Sequence, residues 1–203
     1  MLFMNVTIKY QNEFSDYTIS SYMNKWATTF GNIDQAAVKD RGQFFGGDDQ
    51  YNGTQYSISS SHGSSSAMII DGTLHYSYFP KHTFYGQMDS IQFGESLHQD
   101  QSGSWYLTPA EVSFSGLHIT GSYDDELTME QNHQGNMHKI THGLMRGNPD
   151  PMLEILKAKG IDVDTAFKDL SIATQYDSSD VMGDMPIVET IGVADNSEML
   201  LVA

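Results

Sequence analysis

Apolar residues alternate at Val6, Ile8 and Tyr10, which predicts a half-buried strand. The spacing then changes. Ile19, Tyr22, Met23, Trp26 and Phe30 recur at helical intervals and Gly31 follows them, so a helix is predicted from about Ile19 to Phe30 with its apolar stripe in the core. From Gly31 to Gly53 the pattern dissolves among Gly42, Gly46, Gly47, Asp48, Asp49 and Asn52. That segment reads as a long loop, either a functional lid or a disordered stretch. Strand patterning returns at Gln55 to Ser59, where Tyr56 and Ile58 alternate, and Ser60 to Ser66 is a polar loop. Ala67 to Ile70 and Thr73 to Phe79 flank Asp71-Gly72, a two-residue hairpin signal. Thr83 to Phe93 is a further strand. Glu111 to Thr120 alternates at Val112 and Phe114, slips at Ser115-Gly116 and resumes at Leu117 and Ile119, as at a bulge or a bend.

The last third turns helical. Thr128 and Gln131 have capping-box spacing, and a helix is predicted from there toward Met145, weakened by Gly135 and Gly143. Pro151 suits a first turn, Met152 to Lys159 continues it and Gly160 closes it. Asp164 is placed to cap a helix carrying Ala166, Phe167, Leu170 and Ile172. Strands first and helices last predict an α+β fold, with helices packed on one face of a mainly antiparallel sheet and the other face partly exposed. The length suits a single domain over 1–203, with an acidic tail from about 177 to 203.

Charge narrows the partners. Lys and Arg number 10 against 26 Asp and Glu, a net charge of −16. Nucleic acid and anionic membrane repel such a chain. There is no cysteine, which excludes disulfide scaffolds, Cys-ligated zinc and iron–sulfur sites. Met1 to Tyr10 lacks the pattern of a secretory signal peptide, and no apolar run is long enough for a membrane span.

Familiar catalytic motifs are missing: there is no zinc helix, phosphate-binding loop or nucleophile elbow. Asp48-Asp49 and Asp124-Asp125 lack the spacing of a calcium loop. His133, His138 and His142 could line one helical face at spacings of five and four; the pair His138/His142 is spaced to hold a metal, but no further ligand in the pattern completes a zinc site. The most informative stretch is Leu74 to Thr83. Tyr76 stands near a strand end, and His82 follows across a short turn containing Pro80. This arrangement can set an imidazole nitrogen against a phenol oxygen, and a phenol so held can become an anionic ligand for ferric haem iron. The same two residues also read as a packing tyrosine and a solvated histidine. From these residues alone both readings stand.

The wider sequence resembles the HasA-type haem-acquisition proteins, the hemophores secreted by Gram-negative bacteria, in their Yersinia-like enterobacterial branch. The markers run from Ile19-Ser20-Ser21-Tyr22 and Trp26 to Gly31, through Gly53-Thr54-Gln55-Tyr56, Leu74-His75-Tyr76 and His82 to Gln87, to Gly143-Leu144-Met145, Gly147 to Glu154 and Asp164 to Phe167. The resemblance covers nearly the whole chain and starts near Met4. It implies a curved antiparallel sheet backed by helices, with haem held between two loops at one end.

By that resemblance, Tyr76 is the axial ligand of ferric haem b (ferric protoporphyrin IX) and His82 its hydrogen-bonded partner. The second loop often supplies a second axial histidine in the family; here Gln35 stands at that position and is a poor ligand for ferric iron. The expectation is that Tyr76 alone anchors the iron, or that water or an outside ligand completes it. His62 and His75 are the nearby substitutes, although a regular strand turns His75 to the face opposite Tyr76. His142 stands where many relatives carry an aromatic against the macrocycle, and Val38, Phe79 and Met145 are the expected apolar walls. The loop from Gly31 to Gly47 would close over the haem. The resemblance further implies host haemoproteins as the source, a TonB-dependent outer-membrane receptor as the destination with Gly53 to Ser59 as a contact surface, and type I (ABC) secretion to the extracellular space through an uncleaved C-terminal signal. Two other classes stand beside it: a secreted adhesin or sugar-binding module using the exposed sheet face, and a hydrolase for which no nucleophile can be named.

Overall fold

The structure, a computed structural model, describes residues 5–177. Among the described residues ten strands and four α-helices succeed one another as β1 (Thr7–Tyr10), α1 (Ile19–Phe30), β2 (Gln43–Phe45), β3 (Asn52–Ser59), β4 (Ser66–Ser77), β5 (Thr83–Glu95), β6 (Leu97–Gln99), β7 (Trp105–Leu107), β8 (Ala110–Ser115), β9 (Ile119–Gly121), α2 (Met129–Asn132), α3 (Asn136–Met145), α4 (Asp150–Ala158) and β10 (Ala173–Gln175). The main sheet runs in the order β10-β1-β8-β5-β4-β3-β2, with β9 also paired to β5. Its pairings are antiparallel except the parallel β1/β10 edge. The expected α+β class is the observed one. The acidic tail beyond residue 177 lies outside the described residues.

The α1 helix forms where its apolar stripe predicted. Ile19, Tyr22, Met23, Trp26, Ala27 and Phe30 are all buried, and full burial of each large side chain contributes about 1.5–3 kcal/mol before ordering costs. Thr18 and Ser21 cap its start reciprocally, and Gly31 ends it at φ 79°. The indole N–H of Trp26 donates to the Ala67 carbonyl at 3.2 Å, fixing the helix against β4. The main core joins these residues to Ile8, Met68, Ile70, Met88, Ile91, Phe93, Phe114 and Leu144.

The opposite sheet face is only partly open. The β6–β7 ribbon covers Ala67 and Ile69 there with Leu107, Leu97 and Trp105. Gln55 ties the ribbon down: its side chain accepts from the Trp105 N–H at 2.7 Å and donates to the Trp105 carbonyl at 3.0 Å. Burial on both faces explains the unbroken apolar run at Ala67 to Ile70.

Several local expectations change. Asp71-Gly72 is not a hairpin but a bulge inside the continuous β4, because both flanking runs pair with the long β5 rather than with each other. A Cβ at position 72 would collide with the Gln87 carbonyl oxygen, so glycine is required there. The true hairpin turn is Tyr78 to His82. The Gly31–Gly53 loop contains a 3-10 turn at Ile33–Gln35 and the edge strand β2. The slip at Ser115-Gly116 separates β8 from β9. The helix expected from Thr128 toward Met145 is broken between Asn132 and Asn136, with Gly135 as the N-cap of α3. The helix expected after Asp164 is only a 3-10 turn at Phe167–Asp169. Its backbone is claimed from outside: the Phe167 N–H donates to the Tyr17 carbonyl at 2.8 Å, and Ala166 bridges to Thr18.

Candidate functional site

Strand alternation sets the site. Leu74 is buried on the helix side of β4, and Tyr76, two residues on, packs against that core from a half-buried position. Its register partner Phe84 lies 4.7 Å away, ring to ring. Tyr56 and Phe44 continue the aromatic floor, with Phe84–Tyr56 at 5.3 Å and Phe44–Tyr56 at 4.9 Å. Across the Tyr78–His82 turn, Nδ1 of His82 comes 3.2 Å from the Tyr76 hydroxyl. The pair expected from sequence is therefore formed. Tyr51 stacks on Tyr78 at 5.3 Å and lies 6.3 Å from Tyr76, adding an outer wall.

The electrostatics at Tyr76 oppose one another. Burial, the largest influence, raises the phenol above its ordinary value; Arg41 then pulls it down, Tyr78 pushes it up, and Arg146 and Tyr51 follow with a downward and an upward effect. Both arginines of this acidic chain thus act on one hydroxyl. Burial favours the protonated phenol in the unloaded protein, and its O–H is placed to donate to His82 Nδ1 in the tautomer that leaves that nitrogen bare. Neither arginine was singled out in the sequence. The signal was available in their scarcity, since the other basic residues are lysines.

The α3 helix supplies the other side. Met145 is buried, with its sulfur 3.8 Å from the Tyr56 hydroxyl, which also donates to the Arg41 carbonyl at 2.6 Å. His142 is half-buried and 5.2 Å from His138, whose ring lies 6.1 Å from Phe84. Burial lowers the His142 imidazole, with Arg146 and His133 adding to the effect and Asp34 opposing it. His138 is lowered to about 3 by burial and by its neighbours His133, His142 and Arg146, so it is neutral. Among the described residues no group of three or more histidines, cysteines or acids is placed to hold a metal ion.

The Gly31–Gly42 segment is docked, not open. Arg146 pairs with Asp34 at 2.8 Å, and Asp34 lies in the same turn as Gln35. Gln35 is exposed, and among the described residues no hydrogen bond or ring contact joins it or Val38 to Tyr76. Val38 is 82 % exposed and Phe79 is 79 % exposed, large apolar residues left in water, with Phe79 6.4 Å from the His82 ring. An exposed apolar ring, Phe79, beside a phenol–imidazole pair suits a flat apolar ligand carrying a hard metal centre. The two substitute histidines are elsewhere. His75 turns to the opposite face and stacks on Tyr85 at 5.1 Å. His62 lies 2.6 Å from the Asn32 carbonyl through Nε2 and packs beside Gly31, pinning the start of the loop.

The chain matches the family described as Heme-binding protein A (HasA) over residues 4–203. It is 32 % identical over 181 residues to Hemophore HasA of Serratia marcescens, spanning 84 % of this chain and 92 % of that protein. It is 51 % identical to the holo hemophore HasA of Yersinia pestis, with a TM-score of 0.83, covering 85 % of this chain and 99 % of the other. The same figures hold for a monomeric tyrosine-to-alanine mutant of HasA from Yersinia pseudotuberculosis. The chain therefore belongs to the HasA family of haem-binding proteins and is a carrier, not an enzyme.

Proposed function

We propose that this protein captures ferric haem b outside the cell through Tyr76 and delivers it to a TonB-dependent outer-membrane receptor, with host haemoproteins as the source and type I (ABC) secretion as its route of export. The observation that carries the reading is the Tyr76–His82 pair at 3.2 Å beside exposed Phe79. Haem is the cargo, and its ferric iron is a hard acid that takes an anionic oxygen. The chain prepares that oxygen. Arg41 and Arg146 reduce the cost of ionising the phenol, and His82 Nδ1 is placed to take its proton. Val38 and Phe79 offer apolar surface to the porphyrin, while Met145 and His142 back the opposite side. Gln35 supplies no strong ligand, so Tyr76 is the sole protein ligand.

The test is haemin titration of the wild type and of Tyr76→Phe, followed in the visible spectrum. Wild type is expected to show a Soret band and a phenolate-to-iron charge-transfer band, and Tyr76→Phe to lose the latter and bind more weakly. Equal affinity and equal spectra would defeat the assignment. An adhesin or sugar-binding module would show no Soret change at all.

A further inference from the structure

His82 supplies the acceptor nitrogen of the proposed site, yet its own backbone is in the left-handed region, with φ at 45°. That conformation is disfavoured for a residue with a Cβ and persists where the surroundings fix it. Two histidines from the α2–α3 segment grip the chain on either side of it. Nε2 of His133 lies 2.8 Å from the Lys81 carbonyl oxygen and 3.1 Å from that of His82. Two acceptors facing one ring nitrogen require that nitrogen to carry the proton, so His133 donates a forked bond. On the other side, the Phe84 N–H donates to Nδ1 of His138 at 3.2 Å. The two rings stack with centroids 3.8 Å apart and planes 14° apart. His138 is buried, so the stack is held from behind by the core.

We infer that His133, backed by His138, is a positioning residue for haem capture: it locks the Lys81–His82 backbone so that the His82 imidazole meets the Tyr76 hydroxyl. This rests on the reading of Tyr76 and His82 given above. The geometry gives the lock a direction. The forked bond fixes the carbonyls of residues 81 and 82, and the His138 bond fixes the amide of residue 84. With both ends held, the His82 Cα has little freedom to relax its φ. His133 is the C-cap of α2 and still donates its backbone N–H to the Met129 carbonyl at 3.0 Å, so the end of that helix aims its ring at the turn.

The experiment uses the full chain loaded with haemin, and follows haem transfer to excess apomyoglobin together with the ferric spectrum. His133→Phe keeps a stacking ring and removes the donor. His133→Gln keeps an N–H near the position of Nε2, and His133→Asn is too short to reach. His133→Phe and His133→Asn are expected to lose haem about three- to tenfold faster than wild type, the range for one lost hydrogen bond. Their spectra should shift toward that of His82→Ala, and His133→Gln should recover most of the difference. Adding His133→Phe to His82→Ala should bring no further acceleration. If His133→Phe does not fold, His133→Asn decides in its place. Wild-type loss rates, or an undiminished effect in the His82→Ala background, would overturn the positioning role. Wild-type haem affinity in Tyr76→Phe would instead defeat the underlying reading; a defective Tyr76→Phe beside wild-type behaviour at position 133 would defeat only this inference.

Discussion

The Tyr76 hydroxyl and His82 Nδ1 stand 3.2 Å apart although they lie six positions apart in sequence, because the β4/β5 hairpin closes immediately beyond Ser77↔Thr83. The distance is long for a bond from a hydroxyl. In the unloaded protein the contact is therefore a weak one, and burial favours the protonated phenol.

Acid should loosen the cargo. A protonated His82 can no longer take the phenol's proton at Nδ1, and its N–H then competes with the iron for the phenolate oxygen's electron density. Haem transfer to apomyoglobin is expected to speed up as pH falls. His82→Ala should lose haem faster at neutral pH and show a shallower pH dependence. An unchanged slope in that variant would place the acid sensitivity elsewhere.

The two arginines make a separate prediction. Burial is the larger influence on Tyr76, and Arg41 and Arg146 counter it. Arg41→Gln should therefore raise the phenol further, seen as a later phenolate absorbance rise in alkaline titration of the unloaded protein. Haemin affinity should fall several-fold, more at low ionic strength than at high, as charges near solvent are screened. Arg146→Gln should behave likewise. Asp34→Asn removes the same ion pair while keeping the Arg146 charge, and is expected to leave the Tyr76 titration near wild type.

Stability in acid should carry the mark of His138. Its folded value of about 3 lies below the ordinary 6.5, so the unfolded chain binds the extra proton between those limits. Stability from this group is complete above about pH 6.5 and is lost as pH falls toward 3, by up to ~1.4 kcal/mol per pH unit. Asp71 and Glu111 are raised by burial and act in the opposite sense. The comparison is thus between wild type and His138→Gln in urea unfolding at pH 7, 5 and 4. The variant's loss of stability across that range should be smaller, and an identical pH profile would contradict the assignment.

How much of this was legible in the sequence depended on how local each cause is. Helix α1 was readable because its stripe and Gly31 lie within one short window. Tyr76 and His82 were readable because a single turn joins them. The Asp71-Gly72 bulge was not, since the partner that kept β4 straight, β5, is distant in sequence at Gln87 and Ser90. The 3-10 turn at Phe167 failed as a helix for the same reason, its amide being taken by Tyr17. Gln35 falls in the 3-10 turn after α1, and nothing in its sequence neighbours announced that Asp34 would pair with Arg146. The histidines at 133, 138 and 142 were read as one helical face, and Gly135 broke that face into a stack.

A final prediction separates folding from haem capture. Tyr22 on α1 donates to Glu111 of β8 at 2.7 Å, and both are buried. Glu111 is raised by burial, with the bond from Tyr22 working against that rise. Tyr22→Phe keeps the ring packed against Phe14, Phe93 and Phe167 but leaves a buried carboxyl short of its donor. The expected cost is about 1–3 kcal/mol in urea unfolding. Since none of these rings belongs to the Tyr76 cluster, the folded fraction of the variant should bind haemin with the wild-type spectrum. A spectral change would mean that the α1–β8 contact reaches the haem end of the sheet. Unchanged stability would mean that the carboxyl finds another partner.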